Sequence, residues 1–380
     1  MQSETTVDIT ERGRIKKNIN ESLFDDNQKE LLPTKNDDIV NCKQLKEQLK
    51  NIEVMERYLK ANGIYENFEL KEYVGSGSES IVYSILLKYK SKKGEKNLKK
   101  ANVKAIISSK RNKNVQKEIF NSFKLKNVNV IDFYGSVESQ KSPLTLIFME
   151  YAKYDNIKNF QLKTMKRTTF TESMICYLAA QILNGIQYCH KNKIAHLDIK
   201  PQNIVINELC CAKLIDFSIS LNYKDKNPKA ELKLPLKGTY FFMSKEVLEQ
   251  SNIKYKDLNK IDLYSFGVVL FNLAFGNYPY GLTRGDENNA YIILKKIKEN
   301  EISFPDEFDF SPHFFDFLKK LLAKNINERI NLNEAMNHYW IKGAKILNDE
   351  KEKCYNMGSF LTYLLTNHIK DFNDYINSKF

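Results

Sequence analysis

The chain has 380 residues, of which 42% are apolar and 28% charged, a composition typical of a globular protein. The longest apolar stretch, Phe266 to Gly276, is too short for a membrane helix, which needs about 20 residues. From the polar N-terminus we expect no signal peptide, and from Gln2 we expect no N-myristoylation, which needs a glycine there. We therefore expect a cytoplasmic protein without a membrane partner, with the nucleus as the alternative compartment.

Positive charge dominates the chain, with a formal net charge of +12. Residues 71–117 hold thirteen Lys or Arg against three glutamates, a run that could attract nucleic acid, anionic lipid or acidic proteins. It could equally be a solvated, lysine-rich surface loop. No aromatic residue interrupts the run from Lys92 to Lys100 to stack on bases, so we favour the surface loop and expect no specific nucleic-acid partner.

The first part of the chain changes from polar to helical and then to β-rich. Residues 1–40 show no sustained period and are predicted to be disordered. Apolar residues three or four apart predict one helix over 42–61, within an N-terminal extension of 41–68. Short β-rich runs then predict strands, and one helix near 113–126 interrupts them; the strand runs are Leu70–Val74, Ile81–Leu87, Val103–Ile107, Ile131–Tyr134 and Leu144–Met149.

After Asn156 the pattern becomes mainly helical. A long helix is predicted around Leu178 to Tyr188, and a very apolar, buried one over Tyr264 to Phe275. An amphipathic signal returns in the tail, residues 344–380. The sequence thus predicts a small β-rich lobe over 69–151 and a larger helical lobe over 152–343, joined near Met149 to Asp155, with a ligand cleft between them.

Three groups of residues could carry chemistry. Gly75-Ser-Gly-Ser-Glu-Ser80 lies between two predicted strands, where glycines let a backbone approach phosphate oxygens. That signal alone is weak, because glycine-rich hairpins are common. Lys104 on a strand and Glu118 on the interposed helix could neutralise phosphate as a pair, or could be two unrelated surface charges.

The third group is more specific. His196-Leu-Asp-Ile-Lys-Pro-Gln-Asn203 follows the long helix, and Asp216-Phe-Ser218 follows a short apolar strand. Together they supply a carboxylate to orient a hydroxyl, a lysine for a transferring phosphate, and two oxygen donors for Mg²⁺. Phosphoryl transfer needs this inventory, because its catalysis is mainly positioning and charge neutralisation.

On these motifs the chain resembles the eukaryotic protein kinase superfamily over about residues 69–343. The resemblance continues through Gly238-Thr239 to Glu246, similar to the end of an activation segment, and through Asp262 to Gly267, similar to the helix that anchors the catalytic loop. It implies an α+β bilobal fold: a small antiparallel β-sheet lobe with one main helix, and a larger helical lobe. Lys200 and Thr239 are features of the serine/threonine type.

The resemblance implies roles for particular residues. Asp198 would position the substrate hydroxyl and accept its proton, and Lys200 would stabilise the γ-phosphate of ATP. Lys104 would contact the α- and β-phosphates and pair with Glu118.

The resemblance also implies where the two cofactors bind. Mg²⁺ would be held by Asn203 and Asp216. ATP would be bound by the remaining positions: Gly75, Ser76, Gly77, Val82, Lys104, Met149, Glu150, Ala152 and Val205.

Four positions depart from the family pattern. Asn102 stands where alanine is usual over the adenine, Ser218 replaces a glycine, and Lys245 replaces a proline. Leu197 replaces the arginine that receives an activation-segment phosphate in many kinases. Because residues 221–238 contain no Ser or Thr, and only Tyr223 offers a hydroxyl, we hypothesise that activity does not require phosphorylation of this segment.

Other interpretations stay open at this point. Degenerate motifs are the usual sign of a nucleotide-binding pseudokinase scaffold, and the lysine-rich window would suit a basic interaction module. We expect a protein substrate as the binding partner, and we expect the protein itself to be a monomer. The N-terminal helix and the tail could dock on the kinase, block its cleft or recruit a partner; we predict intramolecular docking.

Overall fold

The computed structural model describes residues 38–62, 68–77, 79–90, 96–107, 113–138, 143–164, 169–305 and 308–344. The predictions for residues 1–37 and for the tail from residue 345 lie outside these ranges. Two compact units divide the chain: the first holds the residues up to Lys124 and Ile131–Ala152, and the second holds Leu125–Val130 and the residues from Lys153 onward.

A five-stranded antiparallel sheet in the order β1-β2-β3-β5-β4 forms the frame of the first unit. Its β-branched and aromatic residues alternate along β2, so that Ile81, Tyr83 and Ile85 are buried together on one face. The fourth strand begins and ends later than predicted. The strands are β1 (Phe68–Ser76), β2 (Ser80–Lys90), β3 (Lys96–Ile107), β4 (Phe133–Glu138) and β5 (Leu144–Glu150).

The lysine-rich run is not wholly a surface loop, which corrects part of that prediction. Lys96 already pairs with Lys90 at the start of β3, and the strand continues in register to Ile107. Pairing with β2 extends the strand through lysines that hydropathy alone would assign to a loop, because the partner strand supplies the backbone hydrogen bonds.

Two helices, α1 (Asp38–Gln48) and α2 (Ile52–Ala61), precede the sheet. The prediction of one continuous helix is wrong, because the Asn51 side chain accepts hydrogen bonds from Glu53 N and Val54 N and so starts a new helix. Both helices are part of the hydrophobic core of the first unit. Their buried members are Leu45, Leu49, Met55, Tyr58 and Leu59.

One helix, α3 (Lys113–Lys124), lies in the chain between β3 and β4. Val115 and Ile119 pack against Ile106 of β3 and Ile147 of β5. These contacts fix the rotation of α3, and they place the side chain of Glu118 toward β3.

The second unit is mainly helical. Its most buried element is α7, in which every residue from Ile261 to Phe275 is buried, as the apolar sequence predicts. Its α-helices are α4 (Ile157–Asn159), α5 (Glu172–Lys191), α6 (Lys245–Leu248), α7 (Leu258–Phe275), α8 (Ala290–Glu299), α9 (Pro312–Leu321), α10 (Leu332–Asn337) and α11 (Tyr339–Lys342).

Short strand pairs hold the loops of the second unit. They are antiparallel and pair β6 with β9, β7 with β8 and β10 with β11. The strands are β6 (Ile194–Ala195), β7 (Ile204–Ile206), β8 (Ala212–Leu214), β9 (Leu221–Asn222), β10 (Glu231–Leu232) and β11 (Ile253–Lys254). Among the described helices of both units, none is long and apolar enough to cross a bilayer.

Candidate active site

The glycine-rich segment forms the turn of the β1–β2 hairpin in the first unit. Gly75 pairs with Val82, and Gly77 N donates to Ser80 O at 2.9 Å. A Cβ on Gly77 would lie 3.1 Å from Ser80 Oγ, whereas one on Gly75 would meet nothing within 4 Å. Ser76 is exposed beside them. The hairpin thus presents a narrow backbone turn, with the small, polar Ser76 and Ser80 among the described residues beside its glycines.

Lys104 and Glu118 form an ion pair in the first unit. Lys104 Nζ lies 2.6 Å from Glu118 Oε1, and the two side chains are only 11% and 6% exposed. Register places Lys104 between Val82 of β2 and Ile147 of β5. Lys104 and Glu118 are therefore not two unrelated surface charges. β3 and α3 position the lysine and the glutamate to form an ion pair that is largely shielded from solvent.

The other positions of the first unit that are predicted to bind nucleotide, Met149, Glu150 and Ala152, lie at the end of β5 or directly after it. Asn102 pairs with Met149, and Glu150 N donates to Asp132 O at 2.9 Å. Ala152, which follows β5, is half-buried. The Oδ1 atom of Asn102 is buried and has no hydrogen-bond partner among the described residues.

In the second unit, Asp198, Lys200 and Asn203 share one cluster of hydrogen bonds. Lys200 Nζ and Asn203 Nδ2 each lie 2.8 Å from Asp198 Oδ2. Asn203 Nδ2 also donates to the backbone carbonyl of Asp198 at 2.8 Å. Two donors hold the carboxylate in one orientation, and the donation by the amide nitrogen reserves Asn203 Oδ1 as an oxygen donor for a cation.

Asp262 anchors the backbone of this loop from the start of α7. Its carboxylate accepts hydrogen bonds from His196 N and Leu197 N, both at 2.8 Å, and lies 2.7 Å from His190 Nε2. Burial would raise the pKa of Asp262, but the hydrogen bond and charge of His190 and the backbone donors lower it below its ordinary value. An ionised, buried carboxylate therefore holds Leu197 in its left-handed conformation, with φ of 65°.

Asp216 follows β8 and is tied to the same loop by backbone contacts. Ile215 N donates to Asn203 O at 3.0 Å, and His196 Nε2 lies 2.9 Å from Ile215 O. Asp216 has a φ of 64°, an unusual value that these neighbours enforce. The structure thus brings Asn203 and Asp216 into one hydrogen-bonded frame. Two oxygen donors of this kind fit Mg²⁺, which keeps waters and substrate oxygens as its other ligands.

Val205 lies on β7, opposite Lys213 of β8, directly after the Asn203 segment. Ser218 follows Asp216 without a positive φ, so a side chain is tolerated where the family has glycine.

The end of the activation segment lies close to Asp198 and Lys200. Gly238 has a φ of +107°, and a Cβ there would lie 2.8 Å from Asp198 Oδ1. Thr239 Oγ1 lies 3.4 Å from Lys200 Nζ. Glycine is required at 238 because any side chain would clash with the carboxylate and strain the backbone.

Glu246, after the activation segment, forms a buried ion pair with Arg329. Arg329 Nη1 and Nη2 lie 2.6 and 3.2 Å from the two carboxylate oxygens of Glu246. The Arg329 side chain is fully buried, and its guanidinium lies 4.8 Å from the ring centre of Tyr264. The pair ties Glu246 of α6 to Arg329, and Lys245 stands beside Glu246 at the first position of α6.

Sequence reasoning missed several of these contacts. His190 and Tyr223 lie 33 residues apart, and their side chains meet with 3.0 Å between His190 Nδ1 and the Tyr223 hydroxyl. No local pattern predicts such a contact. Gly238 could have been singled out, since a lone glycine before a threonine in a loop often marks a close backbone approach.

Comparison with known proteins agrees with this geometry. The family model described as "Protein kinase domain" matches residues 68–341. Serine/threonine-protein kinase pakH of Dictyostelium discoideum is 30% identical over 285 residues, which is 75% of this chain and 52% of that protein. An Aurora kinase of Debaryomyces hansenii is 28% identical over 276 residues, 73% of this chain and 62% of the relative.

A third relative, mitogen-activated protein kinase kinase SIPKK of Nicotiana tabacum, is 31% identical over 198 residues, covering 51% of this chain and 53% of that protein. The chain spans about half the length of such relatives, and only 28% of Dictyostelium pakE. The family model covers well over half of this chain, and the chain belongs to the protein kinase family.

Proposed function

We propose that the protein is a serine/threonine protein kinase that transfers the γ-phosphate of ATP, with Mg²⁺, to protein hydroxyls. The observation that carries this proposal is the Asp198 carboxylate, which is held by hydrogen bonds from Lys200 and Asn203. A fixed carboxylate next to a fixed cation is what orientation of a hydroxyl and stabilisation of a developing charge require.

Each chain residue then has a distinct task. Asp198 accepts a hydrogen bond from the acceptor hydroxyl, orients it and takes its proton as the oxygen attacks. Lys200, already between Asp198 and Thr239, neutralises charge that develops on the transferring phosphoryl group. Bound Mg²⁺ would supply further charge neutralisation, held by Asn203 and Asp216.

The first unit would supply the nucleotide contacts. Lys104, held by Glu118, would neutralise the α- and β-phosphates, and the Gly75–Gly77 backbone would cover them. Val82, Met149, Glu150 and Ala152 would contact the adenine. The named kinase activity of the relatives supports this reading, and it does not favour a pseudokinase scaffold.

We also propose that the activation segment needs no phosphate to keep its active conformation. Leu197, in place of an arginine, packs against the hydrophobic core of the second unit and lines a small pocket with Ile219 and Leu234. The Tyr223 hydroxyl, the one side-chain hydroxyl of residues 221–238, is bound by His190, and burial raises its pKa above the ordinary value. Apolar packing thus does what a phosphate–arginine pair would do.

The test uses the full chain after phosphatase treatment. Purified protein is incubated with Mg²⁺, labelled ATP and a generic protein substrate, beside an Asp198→Asn variant. We expect label on serine or threonine from the dephosphorylated enzyme, and a loss of at least about a hundredfold in the variant.

Two outcomes would contradict parts of the proposal. No transfer by the wild type, although ATP raises its thermal midpoint, would favour the pseudokinase. Activity that collapses on phosphatase treatment and returns with rephosphorylation inside residues 218–238 would leave the kinase but refute its independence of phosphate. We place the activity in the cytoplasm, or alternatively in the nucleus, with the protein acting as a monomer.

A further inference from the structure

The activation segment carries a strong positive charge. Residues 221–245 contain six lysines and two acidic residues, Asp225 and Glu231. Five of the lysines are exposed and Lys245 is half-buried; the six are Lys224, Lys226, Lys229, Lys233, Lys237 and Lys245. The segment beside Asp198 therefore presents a basic surface, whereas most acidic residues of the chain lie outside this segment.

Nearby carboxylates do not neutralise this surface. Glu246 is bound by Arg329, Glu249 by Lys298, and Asp262 by His190. Glu231 lies opposite Lys254 in the β10–β11 pair. Among the described residues, none of the six lysines forms an ion pair within 4.0 Å. The positive charge of these six lysines therefore faces solvent and can attract an anionic molecule that binds this surface.

Lys237 is the member of this group that lines a pocket with Asp198. It precedes Gly238, where an added Cβ would lie only 2.8 Å from Asp198 Oδ1. Thr239 also lines this small pocket. A peptide whose hydroxyl reaches Asp198 therefore places its neighbouring residues beside Lys237, and Lys233 lies four residues back along the same exposed segment.

From this arrangement we propose that the enzyme selects acceptor sites flanked by anionic side chains, either Asp or Glu or a phosphorylated residue. Lys237 is the main specificity-determining residue, and Lys233 supports it. An anion beside the acceptor hydroxyl is attracted to these lysines, whereas a basic flank is repelled by them. This inference rests on the proposed kinase activity.

The test compares serine peptides of one length and one alanine-rich background. Glu, phosphoserine, Ala or Lys replaces single positions within three residues of the acceptor, and kcat/KM is measured for each peptide with the wild-type enzyme. We expect the best Glu peptide to exceed the Ala peptide about fivefold, the upper range of one exposed ion pair, and the Lys peptides to be the poorest. Raising the salt concentration should reduce the difference.

Charge reversal identifies the lysines responsible. Lys237→Glu should reduce the ratio of kcat/KM for the Glu peptide to that for the Lys peptide at least fivefold, and Lys237→Gln should reduce it less. Lys191→Glu, an equal charge change at an exposed position of α5, is the matched control and should leave the ratio unchanged.

The outcomes separate this inference from the kinase proposal. A wild-type enzyme that phosphorylates Lys peptides best, or a ratio that Lys237→Glu and Lys191→Glu change equally, overturns the selectivity and leaves the kinase standing. If phosphoserine peptides are preferred but Glu peptides are not, the anion read is phosphate. Failure to phosphorylate any peptide or protein overturns both proposals together.

Discussion

Asn102 shows how one residue can depart from a family pattern at an energetic cost. It is 7% exposed in the middle of β3, opposite Ser84 of β2 and Met149 of β5. Its Oδ1 atom has no hydrogen-bond partner among the described residues. A buried acceptor without a donor costs about 1–3 kcal/mol, so this position is destabilised by its own side chain.

Asn102→Ala should therefore increase the free energy of unfolding by about 1 kcal/mol, after the loss of packing is subtracted. The smaller side chain should also lower the KM for ATP. Urea unfolding and ATP titration measure the two effects. Ser84→Ala, which leaves the Asn102 amide in place, is the control and should not stabilise the protein. A less stable Asn102→Ala protein would show that the amide is satisfied in solution.

Residues with a short-range signature could be found from the sequence, and the family resemblance added two long-range contacts, the Lys104–Glu118 pair and the anchoring of the catalytic loop by the helix of Asp262. The spacing within His196 to Asn203 predicts a carboxylate, a lysine and an amide in one loop, and the structure joins them through Asp198 Oδ2. The contact of Tyr223 with His190, by contrast, depends on how α5 and β9 pack. Periodicity carries no information on such contacts.

Among the elements, α1 and α2 add most to what the family pattern describes. They lie ahead of the matched residues 68–341, yet their apolar faces belong to the core of the first unit. The Tyr83 hydroxyl of β2 donates to the carbonyl of Leu49, and Lys46 donates to the carbonyl of Gly77 in the glycine-rich turn. An amphipathic stripe predicts that such helices dock somewhere; only the structure identifies the sheet as the partner.

Leu49→Ala tests the importance of this docking. Leu49 is fully buried, so the substitution should cost about 2–4 kcal/mol locally and lower the thermal midpoint. Amide exchange in β1 and β2 should become faster, while the helices of the second unit stay protected. Gln48→Ala, at the exposed neighbouring position, is the control. Unchanged exchange in β1 and β2 would mean that α1 contributes nothing to the sheet.

At the scale of the whole molecule, a β-rich pattern followed by a helical one predicted the order of the parts, and the family resemblance implied the α+β fold. The α11 helix near the end of the described chain shows what that pattern leaves out. His338 Nδ1 accepts a hydrogen bond from Trp340 N at 3.3 Å, and His338 Nε2 lies 2.9 Å from Asp316 Oδ2. A neutral imidazole thus caps α11 and ties it to α9, a role that depends on protonation state.

The stability of the molecule should consequently depend on pH through His338. Burial lowers the pKa of His338 from 6.5, although the hydrogen bond to Asp316 acts in the opposite direction. The pKa of His338 is lower in the folded protein than in the unfolded chain. The contribution of neutral His338 to the free energy of unfolding is therefore complete above pH 6.5, and it is lost as the pH falls through the folded pKa. His338→Asn keeps a capping acceptor for Trp340 N but cannot be protonated in this range.

Urea unfolding between pH 7.5 and pH 5, both values about one unit or more from 6.5, should show the wild type losing more stability than His338→Asn. The change in stability with pH must be compared between the two proteins, because Glu172 also contributes to it in both. Burial raises the pKa of Glu172, so its contribution to stability changes in the opposite direction over part of this range. Parallel pH profiles for the two proteins would show that protonation of His338 leaves the cap of α11 intact. A steeper profile for the wild type would show that one neutral imidazole stabilises the end of the helical unit.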